Sequence, residues 1–367
     1  MKLGAFMMPL HPPARPYLET LREDQQAIVL ADKLGYCEAF VGEHVTDRAE
    51  SVTSSLLFIA SVAGEARTIT LGSGTVNLPN HHPLRVAAEV AMLDTLLEGR
   101  FLFGISPGGL LTDAEAFGNL DADRTAMFVE AIDQILAIWA GEPPYDLDGA
   151  FWRISTARTM DLAIGQGLVA KPYQKPHPPI VVTAVAPFSK GVVEAAARGW
   201  TPISANFLQP EWVASHWPKY REGCALGGRV ARPADWRVAK SIFVADDQAT
   251  ARAYAKSADG PYGFYYAQLM RKLIGNARGN LFKADPDMAD DALSLDYVLD
   301  SLVICGTVEH VVDQLLAFRD RIGDFGTLLY ALHDWADARL ARRSMELMAD
   351  AVMPALNKAI GVEVAAE

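Results

Sequence analysis

His44 closes a short apolar run, Cys37-Glu38-Ala39-Phe40-Val41-Gly42-Glu43-His44, with the composition of a buried strand. Imidazole titrates near neutral pH, so a histidine set where a strand stops is suited to general acid–base work. Other reactive groups fall in comparable places. Gly104-Ile105-Ser106-Pro107-Gly108-Gly109 presents a hydroxyl in a glycine-rich loop that lets a ligand approach the backbone. It is not GxGxxG and no helix follows at once, so it is not a dinucleotide fingerprint. Ala186-Pro187-Phe188-Ser189-Lys190 reads as a helix start, where the Ser189 cap, the free N–H groups behind it and Lys190 suit a phosphate. Leu71-Gly72-Ser73-Gly74-Thr75-Val76 places small residues inside a strand, the mark of a bulge or of a close ligand. Leu332-His333-Asp334-Trp335 carries an imidazole and an indole past a late strand. Each has a plain structural alternative: a surface loop histidine, a simple loop, an ordinary capped helix, a packing aromatic.

Several chemistries lack their residues. His11 stands alone in the first loop, and His81 and His82 are adjacent, so their side chains diverge in an extended loop; no metal site is expected. No Gly-x-Ser-x-Gly elbow occurs, which argues against a Ser-His hydrolase. Cys37, Cys224 and Cys305 are far apart, form no CxxC pair, and fit a reducing compartment.

The elements that must position these groups alternate. Strands are expected over 3–8, 37–42, 69–78, 101–105, 180–183, 201–205, 237–244 and 326–332. Helices are expected over 20–33, 54–66, 84–97, 123–139, 189–198, 211–223, 249–258, 307–321 and 340–356. Eight strands interleaved with helices predict an α/β fold, a (β/α)8 TIM barrel, whose strand C-termini ring the active site. No linker divides the chain, so a single domain over 1–367 is expected, with insertions at 141–178 and 259–300 on the catalytic face. Tyr262, Phe264, Tyr265 and Tyr266 are candidate lid residues.

The 367 residues carry a formal net charge of −12, which disfavours nucleic acid and anionic membranes as partners. No run of about 18 apolar residues suggests a membrane span, and the N-terminus has no signal-peptide pattern. A soluble cytoplasmic protein is the expectation.

In order and spacing, these segments resemble the bacterial luciferase family of flavin-dependent monooxygenases. The resemblance rests on Lys2-Leu3-Gly4-Ala5-Phe6, Gly42-Glu43-His44, Leu78-Pro79 with His82-Pro83, Leu93-Asp94 and Gly99-Arg100-Phe101-Leu102-Phe103-Gly104-Ile105. Arg198-Gly199, Gly306-Thr307 and Met353-Pro354 follow more loosely. Gly42-Glu43-His44 and the ending Phe325-Gly326-Thr327 through His333-Asp334-Trp335-Ala336-Asp337 look most like limonene and diketocamphane monooxygenases. The resemblance implies reduced FMN supplied by a separate flavin reductase, and O2 as co-substrate. A flavin C4a-(hydro)peroxide would then oxygenate a small apolar substrate such as a terpenoid, alkene or ketone.

It further implies His44 as the catalytic histidine and a non-prolyl cis peptide at Gly74-Thr75 against the flavin. Cofactor contacts are implied at Phe6, Gly74, Thr75, Ser106, Val185, Ala186, Ser189, Lys190 and Ser204, and substrate contacts at His333 and Trp335. Four positions depart from luciferase. Ser106 stands where luciferase has a cysteine, Pro107 replaces an arginine that grips the phosphate, and Val185-Ala186 replace a polar pair. Light emission from an aldehyde is therefore not expected. Dimerisation through 54–66 and 84–97 is also implied. The alternatives are a deazaflavin (F420)-dependent hydride-transfer enzyme of the same fold and a non-catalytic flavin-binding relative.

Overall fold

The computed structural model describes residues 1–285 and 287–361; the last six residues of the expected domain lie outside the described residues. Parallel strands β1 (Lys2–Met7), β2 (Glu38–Val41), β3 (Thr70–Ser73), β4 (Phe101–Ser106), β5 (Ile180–Ala184), β6 (Thr201–Ser204) and β7 (Arg237–Val244) follow one another around a ring. The ring closes through β9 (Thr327–Leu332), paired with β7 on one side and along all of β1 on the other. Helices pack outside, as expected for a (β/α)8 barrel. The strands are buried on both faces, which is why they read as continuous apolar runs rather than alternating ones.

Phe40, Leu102, Val181, Ile203, Ala239 and Leu329 point inward and fill the lumen, with Phe6 packed against them. Gly72 makes room for this layer, because a Cβ there would lie 2.7 Å from the Phe40 ring. Beneath it, Arg237 grips Glu38 bidentately at 2.6 and 3.0 Å and donates to Thr201, closing the N-terminal end of the barrel. The open end is therefore the one that carries His44.

Four details differ from the sequence reading. The third strand stops at Ser73. A cis peptide follows at Gly74–Thr75, then a two-residue strand, Val76–Asn77, pairs with β4 before a turn at Leu78–Asn80. Residues 141–178 contain a hairpin, Asp146–Asp148 with Arg153–Ser155, whose turn donates three backbone N–H groups to Glu130. Residues 259–300 contain helices Pro261–Gly275 and Leu295–Leu302 and feed a ninth strand, β8 (Val303–Gly306). This strand pairs with the upper half of β7, and its four residues continue an apolar helix without a break. The closing helix is interrupted: Ala338–Leu347, a π turn at Met348–Val352, then Met353–Ala359.

Candidate functional site

His44 lies just beyond β2, with its backbone N–H on the Val52 carbonyl. Its neighbour Glu43 fixes the corner. The Glu43 carboxylate takes the Ser55 N–H and hydroxyl, the Asn77 N–H and the His81 ring, binding the start of helix Ser55–Val62 to the segment after the cis peptide. The His44 ring is held between two carboxylates: Nδ1 lies 2.8 Å from Asp113 Oδ2, and Nε2 lies 3.5 Å from Glu50 Oε2. Asp113 sits on the short helix Leu111–Ala116 and also receives the Thr46 N–H and hydroxyl. Burial opposes its charge, but these donors and His44 bring its carboxyl down to about 2. Burial likewise opposes charge on His44, yet Glu50 and Asp113 outweigh it and raise its pKa above the ordinary value. Lys272, on helix Pro261–Gly275, pairs with both Glu50 and Asp47 and ties that helix to the His44 loop.

Beside His44, the Thr75 hydroxyl donates to Ser106 Oγ at 2.7 Å, and Ser106 donates to Asn77 Oδ1 at 2.7 Å. The single Ser106 proton is thus committed to Asn77. Gly74 passes close under Phe6 and Phe40, so that a Cβ would stand 3.1 Å from the Phe6 ring. This gives a flat backbone edge at the mouth of the barrel.

Across the mouth, the turn after β5 is tethered from three sides. The Val185 carbonyl accepts from Arg278 at 2.9 Å, the Ala186 carbonyl faces His216 Nε2 at 2.9 Å, and the Phe188 N–H donates to Ser215. Ser189 caps helix Lys190–Ala197 by accepting from the Val192 N–H, and Lys190 is exposed. Ser204 points out of the lumen. Trp236 donates to its hydroxyl, which lies 2.8 Å from His216 Nδ1. Burial pushes His216 down to about 4, so the neutral ring accepts from Ser204 and donates to Ala186. Ser204 thereby reaches the site only through the Ala186 carbonyl.

His333 follows β9 and is fully buried. Its Nε2 faces Ser241 Oγ at 3.1 Å, and its ring packs on Tyr262 and Tyr265 with centroids 4.1 and 4.6 Å away. Burial drives it down to about 3, so it is neutral, and its Nδ1 has no partner among the described residues. Asn206 and Tyr266 complete this group around Ser241. Trp335 lies elsewhere, buried beneath the Arg342 guanidinium at 4.6 Å, with its backbone N–H donating to the Glu23 carboxylate. A groove of about 510 Å³ beside Arg221, Glu222 and Arg229 shares no residue with these groups.

The structure thus brings His44, Phe6, Gly74, Thr75 and Ser106 to one side of the mouth, Val185, Ala186, Ser189 and Lys190 to the other, and His333 under the aromatic helix. The sequence reading missed Asp113, Glu50, Lys272, His216 and Arg278. Asp113 and Arg278 had no strand or helix pattern around them, and their roles depend on contacts 69 and 93 residues away.

A flavin phosphate fits the second group. Arg278 is half-buried, its one hydrogen bond among the described residues goes to a neutral carbonyl, and burial lowers its pKa with no carboxylate to offset it. A desolvated guanidinium with spare donors beside a capped helix start suits a phosphate dianion.

Residues 1–324 match the family model described as luciferase-like monooxygenase. Limonene 1,2-monooxygenase of Rhodococcus erythropolis is 32% identical over 98% of this chain and 87% of its own length. 4-Hydroxyprotoasukamycin monooxygenase of Streptomyces nodosus subsp. asukaensis is 31% identical over 97% of this chain and 92% of its own. Among solved structures, the oxygenating constituent of 3,6-diketocamphane monooxygenase from Pseudomonas putida, a type II Baeyer-Villiger monooxygenase in complex with FMN, superposes with a TM-score of 0.86 at 23% identity, covering 96% of this chain and 98% of that one. The chain belongs to the luciferase-like monooxygenase family.

Proposed function

We propose that this chain is the oxygenase of a two-component system, which uses reduced FMN from a separate flavin reductase to insert one oxygen atom from O2 into a small apolar substrate. The observation that carries the reading is the Asp113–His44–Glu50 constellation at the mouth of the barrel, beside the strand that ends before Gly74–Thr75, with Arg278 and the Ser189 cap across the mouth. Reduced FMN, when bound, supplies the activation of oxygen. His44, oriented by Asp113 through Nδ1, holds or delivers a proton from Nε2 to the reacting oxygen. Phe6, Gly74, Thr75 and Ser106 line the ring, and the backbone of Val185 and Ala186 lines its other side. Ser189, Lys190 and Arg278 hold the phosphate. Ser204 acts by fixing Ala186.

The aromatic helix over the mouth supports an apolar substrate, with His333 as its neutral polar contact and Trp335 as a more distant wall. The relatives named for limonene and diketocamphane support the same class. A relative named as the oxygenase component of trigonelline monooxygenase supports the reductase partner. The test uses 18O2, the purified chain, photoreduced FMN, and a panel of cyclic ketones and terpene alkenes. Incorporation of one 18O atom into a product is the expected result. Turnover only with reduced deazaflavin, as hydride transfer without 18O, overturns the reading in favour of the F420 alternative.

Leu57 on helix Ser55–Val62 and Met92 and Leu96 on helix Pro83–Leu96 are exposed by 72, 58 and 60%. These large apolar side chains left at the surface support a homodimer through these helices. Sedimentation at micromolar concentration is expected to give a dimer, and Leu96→Asp a monomer.

A further inference from the structure

Behind His44 lies a second set of ionisable groups that the oxygenation reading does not use. His11, in the loop after β1, has Nε2 3.1 Å from Asp24 Oδ1 and Nδ1 2.5 Å from Asp334 Oδ1. Arg15 joins Asp334 to Glu23, so most of the charge in this set is matched internally. The second oxygen of Asp24 is not matched: Oδ2 is buried with no partner among the described residues. Glu50 repeats the pattern. Its Oε1 accepts from Lys272 at 2.8 Å, while its Oε2 is buried with no hydrogen bond and only faces His44 Nε2 at 3.5 Å. Leaving a buried carboxylate oxygen bare is costly, and interiors rarely do it twice in one place.

Asp24 and Glu50 line the same small cavity, of about 10 Å³, together with Met7, Gly42, Ser51 and Val52. A space of roughly this size holds one water molecule. The other polar groups on its wall are already committed: Glu43 to Ser55, Asn77 and His81, and the Ser51 hydroxyl to Thr20. A water there has two natural partners, Asp24 Oδ2 and Glu50 Oε2.

We propose that Asp24 and Glu50 are bridged by one buried water and share a single proton, and that this pair is the proton store of His44. The proposal rests on the reading of His44 as the group that handles the proton at the site. When His44 Nε2 gives up its proton, Asp24 Oδ2–H passes its proton to the water, the water passes one of its own to Glu50 Oε2, and Oε2 hands that proton on to Nε2. The net change is one proton moved from Asp24 to His44; no other bond is made or broken and no electron moves. Asp24 is left as a carboxylate against the His11 cation.

The surroundings suit both ends. Burial pushes the Asp24 carboxyl up to about 6, against the pull of His11, so it holds its proton closer to neutral pH than an ordinary carboxyl. Burial opposes charge on His11, but Asp24 and Asp334 raise it to about 9, so it stays cationic and steadies the charge that Asp24 acquires. The charged groups facing Asp24 are His11, Glu23 on its own helix and Asp334 beyond β9. Those facing Glu50 are His44 and Lys272, and Lys272 also holds Asp47.

The test is a histidine ring titration by NMR on the full-length, flavin-free protein, in wild type, Asp24→Asn and Glu50→Gln. Asp24 does not contact His44, and Glu50 does not contact His11. Sharing predicts that Asp24→Asn moves the His44 midpoint by about 0.5 pH unit or more, and that Glu50→Gln moves His11 comparably. Unchanged His44 in Asp24→Asn together with unchanged His11 in Glu50→Gln overturns the proposal. If neither variant folds, a high-resolution crystal structure of the wild type decides it. An ordered water within hydrogen-bond reach of both carboxylates supports the store, and its absence overturns it. The oxygenation reading fails separately, if His44→Ala retains 18O incorporation.

Discussion

The two halves of the barrel mouth solve the same problem by opposite means. Around β1 to β4 the site is ionic. His44 lies between Asp113 and Glu50, His11 between Asp24 and Asp334, and carboxylates hold both histidines above their ordinary pKa. Around β5 to β9 it is neutral. His216 and His333 are driven down by burial, and serve as links in hydrogen-bond chains that run Trp236–Ser204–His216–Ala186 and His333–Ser241–Asn206. The ionic half can hold and release protons near neutral pH. The neutral half fixes backbone carbonyls and packs the aromatic helix without adding charge, which suits the apolar substrate proposed for the site. One kind of side chain is thus held ready to carry a proton in one half and held neutral as a hydrogen-bond link in the other, set by the presence of a carboxylate within about 3 Å.

The largest expected effect breaks the ionic half. His44→Ala should lower oxygenated-product turnover by roughly 10²- to 10⁴-fold, the range for loss of a general acid–base group, with FMN affinity little changed. Asp113→Asn keeps a partner for Nδ1 but removes the charge, so it should cost less and shift the pH profile to lower pH, as expected for a histidine that has lost a supporting anion. Equal turnover of His44→Ala and wild type would remove this half from the chemistry. The next effect concerns the neutral half, where Arg278 is a half-buried cation without a carboxylate. Arg278→Ala should weaken FMN roughly ten- to hundredfold by fluorescence titration, and leave riboflavin, which lacks the phosphate, almost unchanged. Equal weakening of both ligands would mean that Arg278 supports the turn rather than the phosphate.

The same contrast explains what was legible in the sequence. The barrel was, because parallel strands buried on both faces leave short apolar runs between glycines, and His44 was, because it ends such a run. The strand Val303–Gly306 was not, since four apolar residues after Leu295–Leu302 carry no period that separates strand from helix. In the ionic half, His44 was visible but its partners were not: Asp113 is one of 45 acidic residues, and only folding brings it to Nδ1. In the neutral half, the family resemblance implied Ser204 as a cofactor contact. The pleat turns it outward, opposite to the inward Ile203, and its contact passes through His216. A one-dimensional pattern locates strand ends well and says little about which face a side chain takes there.

The smallest effect is also the one that compares the halves directly. His11 is raised to about 9 from an ordinary 6.5, so its contribution to stability is complete below about pH 6.5 and fades as pH rises through 9. His44 has the same sign, its contribution fading above its unfolded value. His216 and His333 are lowered to about 4 and 3. Their contributions are complete above about pH 6.5 and fade as pH falls toward those values, because the unfolded chain then binds the protons that the fold excludes. Amide hydrogen exchange, corrected for its intrinsic pH dependence, should therefore show β1 and β2 losing protection first on the alkaline side and β6, β7 and β9 first on the acid side. His216→Gln should flatten the acid limb for β6 and leave the alkaline limb of β1 and β2 in place. If both halves lose protection together at both extremes, the barrel opens as one cooperative unit, and the electrostatic difference between its halves acts on chemistry alone.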